Sequence, residues 1–294
     1  MLGPIVAVTM TVTDLAPVES AYAKYLGYKV VERGQVPQDL AEVWGAPKVA
    51  GRAYMIMQPE SGANCYLRFV VVDPYPDYKP LHTYGWNSTE LLVTDVDAVH
   101  ESLKGSPFEV VGTPRGLSSN DSIKAMQVMG PANEFLYLTT IKDEAMGLGT
   151  AKSFVDRPFI VINGGRDMAE LIGFYRDVLK NKVGEPQPVR MTALNKIRGF
   201  DPETKHPLST VDVGGPFLIE IDQYPPGTTM RSVRAGDLPP GTAMVTFEVA
   251  KLDAVPVPLV AGAKVAQGRP YNGRRIGVIR GTSNELHELV ETPQ

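Results

Sequence analysis

The sequence predicts an α+β fold built from four βαβββ modules arranged in two pairs. The first observation is a repeat, because the segment Val12-Thr-Asp-Leu is echoed as Val93-Thr-Asp-Val further along the chain. The second is a longer echo between the two halves of the chain, in which Asp14 to Leu26 matches Asp167 to Leu179. Repetition of one supersecondary unit at similar spacing indicates a duplicated architecture.

Each module is expected to run as a strand, a helix and then three strands. Alternating apolar residues in Ile5–Val12 predict the first strand. Asp14 then predicts a helix start, since its short carboxylate can accept from the free amides of the first turn. Gly27 predicts the end of that helix through a left-handed cap. The following strands of the first module are predicted at Lys29–Arg33, Arg52–Met57 and Cys65–Val71.

Proline and glycine divide the chain into segments. Pro-rich stretches near residues 73–80 and 224–241 are expected to connect modules, because proline fixes φ and cannot donate to a sheet ladder. We therefore predict an N-terminal domain over residues 1–143, a linker over 144–156 and a C-terminal domain over 157–294, with two modules in each domain.

Composition excludes several classes of protein. Hydrophobic residues make up 43% and charged residues 21% of the 294 residues, which is typical of a globular chain. The net charge of −4 without a basic block argues against binding to nucleic acid or to a membrane surface. The single cysteine, Cys65, excludes a disulfide-stapled secreted scaffold. We expect a cytoplasmic protein with neither a signal peptide nor a membrane span.

The modules resemble those of the vicinal oxygen chelate superfamily, which includes glyoxalase I, extradiol dioxygenases and the fosfomycin- and bleomycin-resistance proteins. The resemblance lies in the module openings around Asp14 and Leu26-Gly-Tyr, and in closing hairpins such as Gly130-Pro-Ala-Asn-Glu. It implies that paired modules form cupped sheets, and it covers nearly the whole chain. It indicates the fold more strongly than the function, because this fold hosts unrelated chemistries.

The superfamily's usual chemistry uses a divalent metal, held by a histidine in the first strand of a module and a glutamate or histidine in the last. The histidine is expected seven residues before the aspartate that starts the helix. The resulting first-strand positions are Ala7, Ser88, Ile160 and Met244, and the last-strand positions are Arg68, Tyr137, Glu220 and Glu288. Because only two of these are carboxylates, we expect no metal site of the family type. If a metal binds, Glu220 and Glu288 are its expected ligands.

Glu220 and Glu288 are predicted to share the cup of the C-terminal domain, beside the apolar Ile160 and Met244. Apolar walls and a second carboxylate would raise one pKa toward neutrality and support proton transfer without metal. The alternative is that Glu220 faces solvent, since a register shift of one residue reverses the face of a strand.

The remaining candidates belong to the N-terminal cup and to the loops. Arg68, Tyr137 and Ser88 are candidates for binding a carbonyl or enolate oxygen, although Tyr137 and Arg68 are equally explained as ordinary strand residues. His82, in a crossover, is a candidate general base or a member of an aromatic rim. His206 is a candidate catalytic residue in the loop before the Glu220 strand, which is expected to close over the second cup. Trp44, in the segment 38–45, is expected to cover an apolar ligand, as is the segment 191–199.

The leading prediction is a lyase or isomerase that acts by acid–base chemistry, without a cofactor, on a hydrophobic carbonyl-bearing or aromatic small molecule. Two alternatives stay open: a non-catalytic small-molecule-binding protein similar to bleomycin-resistance proteins, and a dioxygenase-like or glyoxalase-like metalloenzyme. A divalent metal and a homodimer are both left open by the sequence.

Overall fold

The computed structural model describes residues 1–117, 122–142 and 147–293. The strands are β1 (Ile5–Val12), β2 (Lys29–Gln35), β3 (Ala53–Gln58), β4 (Tyr66–Val71), β5 (Gly85–Val93), β6 (Glu109–Gly116), β7 (Ile123–Met129), β8 (Phe135–Ile141), β9 (Val155–Gly165), β10 (Lys182–Val183), β11 (Gln187–Arg190), β12 (Lys205–Asp212), β13 (Leu218–Gln223), β14 (Thr242–Val249), β15 (Lys264–Val265), β16 (Arg275–Arg280) and β17 (Leu286–Glu291). The α-helices are α1 (Leu15–Leu26), α2 (Gln38–Val43), α3 (Val96–Ser102), α4 (Met168–Ile172) and α5 (Thr192–Arg198). The predicted α+β fold of βαβββ modules is confirmed.

The strands form two curled, mixed sheets. The first sheet has the order β15-β16-β17-β14-β1-β4-β3-β2, and the second β10-β12-β13-β9-β5-β8-β7-β6, with β11 paired to β12. The first module of the chain therefore shares a sheet with the fourth, and the second shares one with the third. The joining pairs are antiparallel, β1 with β14 and β5 with β9. The expectation that each half of the chain forms its own cup is wrong.

Side-chain caps begin the first helix of three of the modules, as the sequence predicts. The carboxylates of Asp14, Asp95 and Asp167 each accept from backbone N–H groups in the first turn of α1, α3 and α4. Gly27 ends α1 with φ of 69°, which is the left-handed cap that was expected. The fourth module has only a short 3₁₀ turn, Leu252–Ala254, in place of a helix. The Val255-Pro-Val-Pro sequence that follows explains this, because proline cannot continue the hydrogen-bond ladder.

One apolar core joins the sheets and the helices. Val8 and Phe247 of the first sheet, Val161 and Ile219 of the second, and Tyr22 of α1 all belong to it. It leaves the opposite face of each sheet free to form a cup. Within the described ranges, no helix is long and apolar enough to cross a membrane. The predicted domain boundary at 143 and the first residues of the predicted linker lie outside the described residues.

The repeated closing hairpin has a specific hydrogen-bonding role for its glutamate. The Glu134 carboxylate turns back to accept from the Ala132 N–H at 2.7 Å, and the Glu285 carboxylate accepts from the Ser283 N–H at 2.8 Å. Each carboxylate lies against the glycine four residues earlier, so that a Cβ on Gly281 would overlap the Glu285 Oε1. The motif therefore needs glycine at its first position for space rather than for backbone conformation.

Replacing Gly281 by alanine is accordingly expected to lower the free energy of unfolding by about 1–3 kcal/mol, the usual cost of forcing an extra methyl into a packed site. Urea unfolding followed by circular dichroism measures it. Gly262→Ala is the matched control, because a Cβ there meets no atom within 4 Å and no positive φ is involved. The control is expected to be neutral or slightly stabilising. Equal losses in the two variants would contradict the steric explanation.

Candidate functional site

The free face of the first sheet, here called cup 1, contains a buried ion pair. Arg68 on β4 and Glu288 on β17 are 1% and 0% exposed, and Arg68 Nη2 lies 2.8 Å from Glu288 Oε2. Arg68 Nε also donates to the Thr9 hydroxyl at 2.9 Å, and the Thr246 hydroxyl donates to Glu288 at 2.5 Å. The Tyr271 hydroxyl donates to Glu288 at 2.6 Å and contacts Arg68 as well.

Trp44 covers the ion pair of cup 1. Its indole N–H donates to the Glu288 carboxylate at 2.6 Å, and its ring lies 4.6 Å from the Arg68 guanidinium carbon. Trp44 and Met244 belong to one buried apolar cluster with Val43 of α2. The segment predicted to cover a ligand therefore covers the ion pair, and Met244 lies in cup 1 as part of its packing.

The titration behaviour of Glu288 follows from these contacts. Burial alone would raise its pKa, but the Arg68 charge and the hydrogen bonds from Thr246, Tyr271 and Trp44 outweigh it and hold the pKa below its ordinary value. Glu288 is thus a permanently ionised structural group. Its predicted role in proton transfer beside Glu220 is wrong, because the two glutamates lie in different sheets.

The free face of the second sheet, here called cup 2, carries three acidic side chains. Glu90 on β5 pairs in register with Ile160 on β9 and with Tyr137 on β8. Glu220 on β13 pairs with Ile162 on β9. Since residues two apart on a strand share a face, Asp222 lies on the same face as Glu220. Glu90 and Asp222 are buried, whereas Glu220 is partly exposed.

The pKa values of the three acidic groups in cup 2 are all raised. Burial raises the pKa of Glu90 to about 7 and raises that of Asp222 well above its ordinary value. The pKa of Glu220 is raised first by burial and then by the charges of Asp222 and Glu90. Among the described side chains, no arginine or lysine forms an ion pair with any of the three. Burial therefore favours the neutral form of these carboxyl groups, so that each gives up its proton less readily than an exposed carboxyl group does.

Polar and apolar groups complete cup 2. Tyr137 is partly exposed, and burial followed by the Glu220 charge raises the pKa of its hydroxyl, so that it remains a hydrogen-bond donor. The Asp222 Oδ1 and the Ser88 hydroxyl are buried and have no hydrogen-bond partner in the described part of the chain. Ile160 supplies an apolar wall.

The candidate histidines lie at the margins. His206 on β12 is 5% exposed, and its Nε2 lies 2.7 Å from the Asn195 Oδ1, which ties β12 to helix α5. Burial lowers its pKa, and so does the Arg198 charge, which favours a neutral ring. His82 Nδ1 lies 2.9 Å from the Pro80 carbonyl oxygen in the crossover. Both therefore make local structural contacts.

The predicted site residues are thus divided between two cups. Glu220, Tyr137, Ser88 and Ile160 come together in cup 2, and Glu288, Arg68, Trp44 and Met244 come together in cup 1. The grouping of Arg68 with Tyr137 and Ser88 is wrong for the same topological reason. Neither Glu90 nor Asp222 was among the site residues predicted from the sequence. The alternation Ser88-Thr-Glu90-Leu-Leu92 was the signal for Glu90, since it places the glutamate on the face of Ser88.

Neither cup fits a resident divalent cation. In cup 1 the Arg68 guanidinium occupies the position against Glu288 where a cation would have to lie. In residues 1–117, 122–142 and 147–293, no group of three or more His, Cys, Asp or Glu side chains is arranged to hold a metal ion. Glu220 and Glu288, the ligands expected if a metal binds, cannot coordinate the same ion because they lie in different sheets.

Comparison with known proteins agrees with this architecture. No family model and no curated protein matches the sequence. Among solved structures, glyoxalase I from Zea mays is similar with a TM-score of 0.64 at 15% identity, covering 98% of this chain and 92% of that one. A putative dioxygenase from Bacillus subtilis subsp. subtilis str. 168 is similar with a TM-score of 0.64 at 12% identity, covering 100% of this chain and 86% of that one. At such identities the likeness concerns the fold, and this chain has the vicinal oxygen chelate fold.

Proposed function

We propose that the protein is a lyase or isomerase that uses cup 2 to move a proton on a hydrophobic, carbonyl-bearing or aromatic small molecule, without a metal. The observation that carries this proposal is the set of Glu90, Glu220 and Asp222 on one face, with no arginine or lysine among the described side chains paired to them. A carboxyl group whose pKa is raised toward neutrality can both donate and accept a proton under physiological conditions.

Each residue has a distinct role in this proposal. Glu220, which is the partly exposed carboxyl, is the proton donor and acceptor at the carbon next to the carbonyl group. Asp222 and Glu90 act through Glu220 as positioning residues, because their charges add to the effect of Glu220's own burial and raise its pKa further. The Tyr137 hydroxyl donates to the substrate oxygen, where negative charge develops as the proton leaves. Ile160 and Ile162 contact the apolar body of the substrate.

Solvent deuterium exchange tests this chemistry without knowledge of the natural substrate. Wild-type protein in D₂O is expected to exchange the α-hydrogens of at least some aryl ketones in a test panel for deuterium. The exchange is measured as the loss of the proton NMR signals of these α-hydrogens. Glu220→Gln keeps the shape but removes the transferable proton, and is expected to slow exchange by about 10²–10⁴-fold. Glu203→Gln is the control, since Glu203 is exposed and paired with Arg190 on the surface. Unchanged exchange in Glu220→Gln would refute the role of this group.

A second candidate is non-catalytic binding of a hydrophobic cation. The absence of a cationic partner among the described side chains of cup 2 favours it, because a ligand cation would stabilise the ionised carboxylates. Calorimetric titration with benzylamine distinguishes the two candidates. Saturable binding that is lost in Glu220→Gln, with no exchange of any ketone in the panel, supports a binding protein. Exchange that depends on Glu220 supports the enzyme.

A further inference from the structure

A cavity of about 590 Å³ lies outside both cups, where the two sheets meet. Its walls come from the starts of β1 and β4 in the first sheet, and from β9 and the segment before β13 in the second. Pockets for small organic molecules have volumes of about 300–1,000 Å³. The cavity therefore has the size of a ligand site, and neither the acidic cluster of cup 2 nor the ion pair of cup 1 lines it.

Arg157 on β9 contributes a cation to this cavity that has no ion-pair partner among the described residues. Its guanidinium donates to the Leu148 carbonyl oxygen at 2.9 Å and, more weakly, to the carbonyl oxygens of Pro158 and Pro216, each at 3.4 Å. Within the described ranges it forms no ion pair with a carboxylate. A guanidinium carries five N–H groups, so these three hydrogen bonds leave at least two donors for a ligand.

Asp156, the acidic residue next to Arg157 in the chain, forms its hydrogen bonds with other groups than the Arg157 guanidinium. The Asp156 carboxylate accepts from the Ser61 hydroxyl at 2.5 Å, and from the backbone N–H groups of Lys152 and Arg157 at 2.7 and 2.8 Å. Its charge acts on the Arg157 guanidinium from a distance, and burial still holds the guanidinium pKa below its ordinary value. Arg157 is thus a partly buried cation that no carboxylate contacts in the part of the chain that the structure describes.

The rest of the lining suits an aromatic anion. Arg274 is paired with Glu248 at 2.9 Å, so these two charges balance and Arg157 leaves the lining positive. The Phe217 ring lies 4.7 Å from the Arg157 guanidinium carbon, and Tyr66 adds a second ring to the wall. The cavity therefore places one guanidinium group, that of Arg157, next to aromatic side chains.

We propose that this cavity is a binding site for a small aromatic carboxylate. The planar guanidinium of Arg157 matches the two oxygens of a carboxylate and forms shorter, stronger hydrogen bonds with it than with a neutral carbonyl. Phe217 and Tyr66 contact the ring of the ligand. The site is independent of the proton transfer proposed for cup 2, and binding requires no covalent step.

Titration with sodium benzoate, followed by calorimetry and by NMR of the ¹⁵N-labelled protein, tests the proposal. Wild-type protein is expected to bind benzoate saturably, with shifts at Tyr66 and Phe217. Benzamide has the same shape without the charge. It is expected to bind at least about tenfold more weakly, because it lacks the charge-assisted contact with Arg157. Equal affinity for benzoate and benzamide would overturn the assignment of Arg157 as the recognition group.

Variants locate the site. Arg157→Gln is expected to weaken benzoate binding at least about tenfold, while Arg166→Gln, at an exposed arginine outside the cavity, leaves it unchanged. Pro293→Trp provides a second route, because this exposed residue lines the cavity and the larger ring would obstruct it without removing any contact of Arg157. Benzoate binding that survives both Arg157→Gln and Pro293→Trp, or that is lost in Glu220→Gln, would overturn the proposal. The last outcome would instead place the anion in cup 2.

Discussion

Replacing Arg68 by alanine is expected to lower the free energy of unfolding by about 3–5 kcal/mol. The reason is that Glu288, which is 0% exposed, would lose the charge that offsets its burial and would keep only the neutral donors Thr246, Tyr271 and Trp44 around it. Desolvation of an unpaired carboxylate costs more than those hydrogen bonds return. Urea unfolding at pH 7, followed by tryptophan fluorescence and circular dichroism, measures the change.

Two comparisons make this result specific to a buried pair. Arg190→Ala breaks an exposed ion pair with Glu203, whose side chains are 43% and 73% exposed, and is expected to cost less than about 1 kcal/mol. The double variant Arg68→Met/Glu288→Leu removes both charges and is expected to be more stable than Arg68→Ala alone. A double variant as unstable as the single variant would mean that packing volume, rather than the unpaired charge, explains the loss.

Raising the pH from 5 to 8 is expected to lower the free energy of unfolding by several kcal/mol. Burial raises the pKa of Glu90, Glu134 and Glu285 from 4.5 to about 7. Each therefore contributes stability that is fully present below pH 4.5 and is lost as the pH rises through 7, by about 2 kcal/mol for each group between pH 5 and 8. His287 acts in the opposite direction, because burial lowers its pKa from 6.5 to about 3. One histidine does not offset three carboxyl groups.

Urea unfolding at half-unit intervals between pH 5 and 8 measures this dependence. Glu134→Gln is expected to reduce the loss of stability between pH 5 and 8 by about 2 kcal/mol, because it removes the contribution of one such carboxyl group while keeping an amide in its place. The exposed Glu60→Gln is the control and should leave the slope unchanged. Stability that rises steadily from pH 5 to 8 would contradict the expected protonation of these buried groups.

The module structure could be predicted because its signals are local. The Asp14 side chain caps the start of α1, and the positive φ of Gly27 ends the same helix. Both signals depend only on residues that are close together in the chain. The closing hairpins are also local, since Glu134 and Glu285 bond within five residues of their glycines. Repetition of such signals predicted four modules, and the fold confirms them.

The pairing of modules could not be predicted in this way. An apolar strand such as β1 presents the same backbone hydrogen-bonding edge to any partner, and its sequence does not distinguish β14 from a strand of its own half. Neighbours in the chain were therefore expected to share a cup, whereas the structure pairs the first module with the fourth. This difference alone separated Glu220 from Glu288.

The position of the acidic site depended on register. The position seven residues before each helix cap is Ala7 in β1 and Ser88 in β5. In the structure, the residues that pair with the last-strand side chains lie two positions further on: Thr9 pairs with Arg68, and Glu90 pairs with Tyr137. A shift of two residues keeps the face but changes which side chain meets its partner across the sheet. Glu90 was overlooked for this reason, although its face could be read from the sequence.

The sequence by itself determined the modules, the capped helices, the alternating faces of the strands and the scarcity of metal ligands at the expected positions. Only the tertiary structure decided that Glu288 pairs with Arg68, and that Glu220, Asp222 and Glu90 share a cup in which no described arginine or lysine pairs with them. Local propensity and side-chain alternation act between residues a few positions apart. The charge state of a buried carboxyl group depends on which distant strands are brought against it.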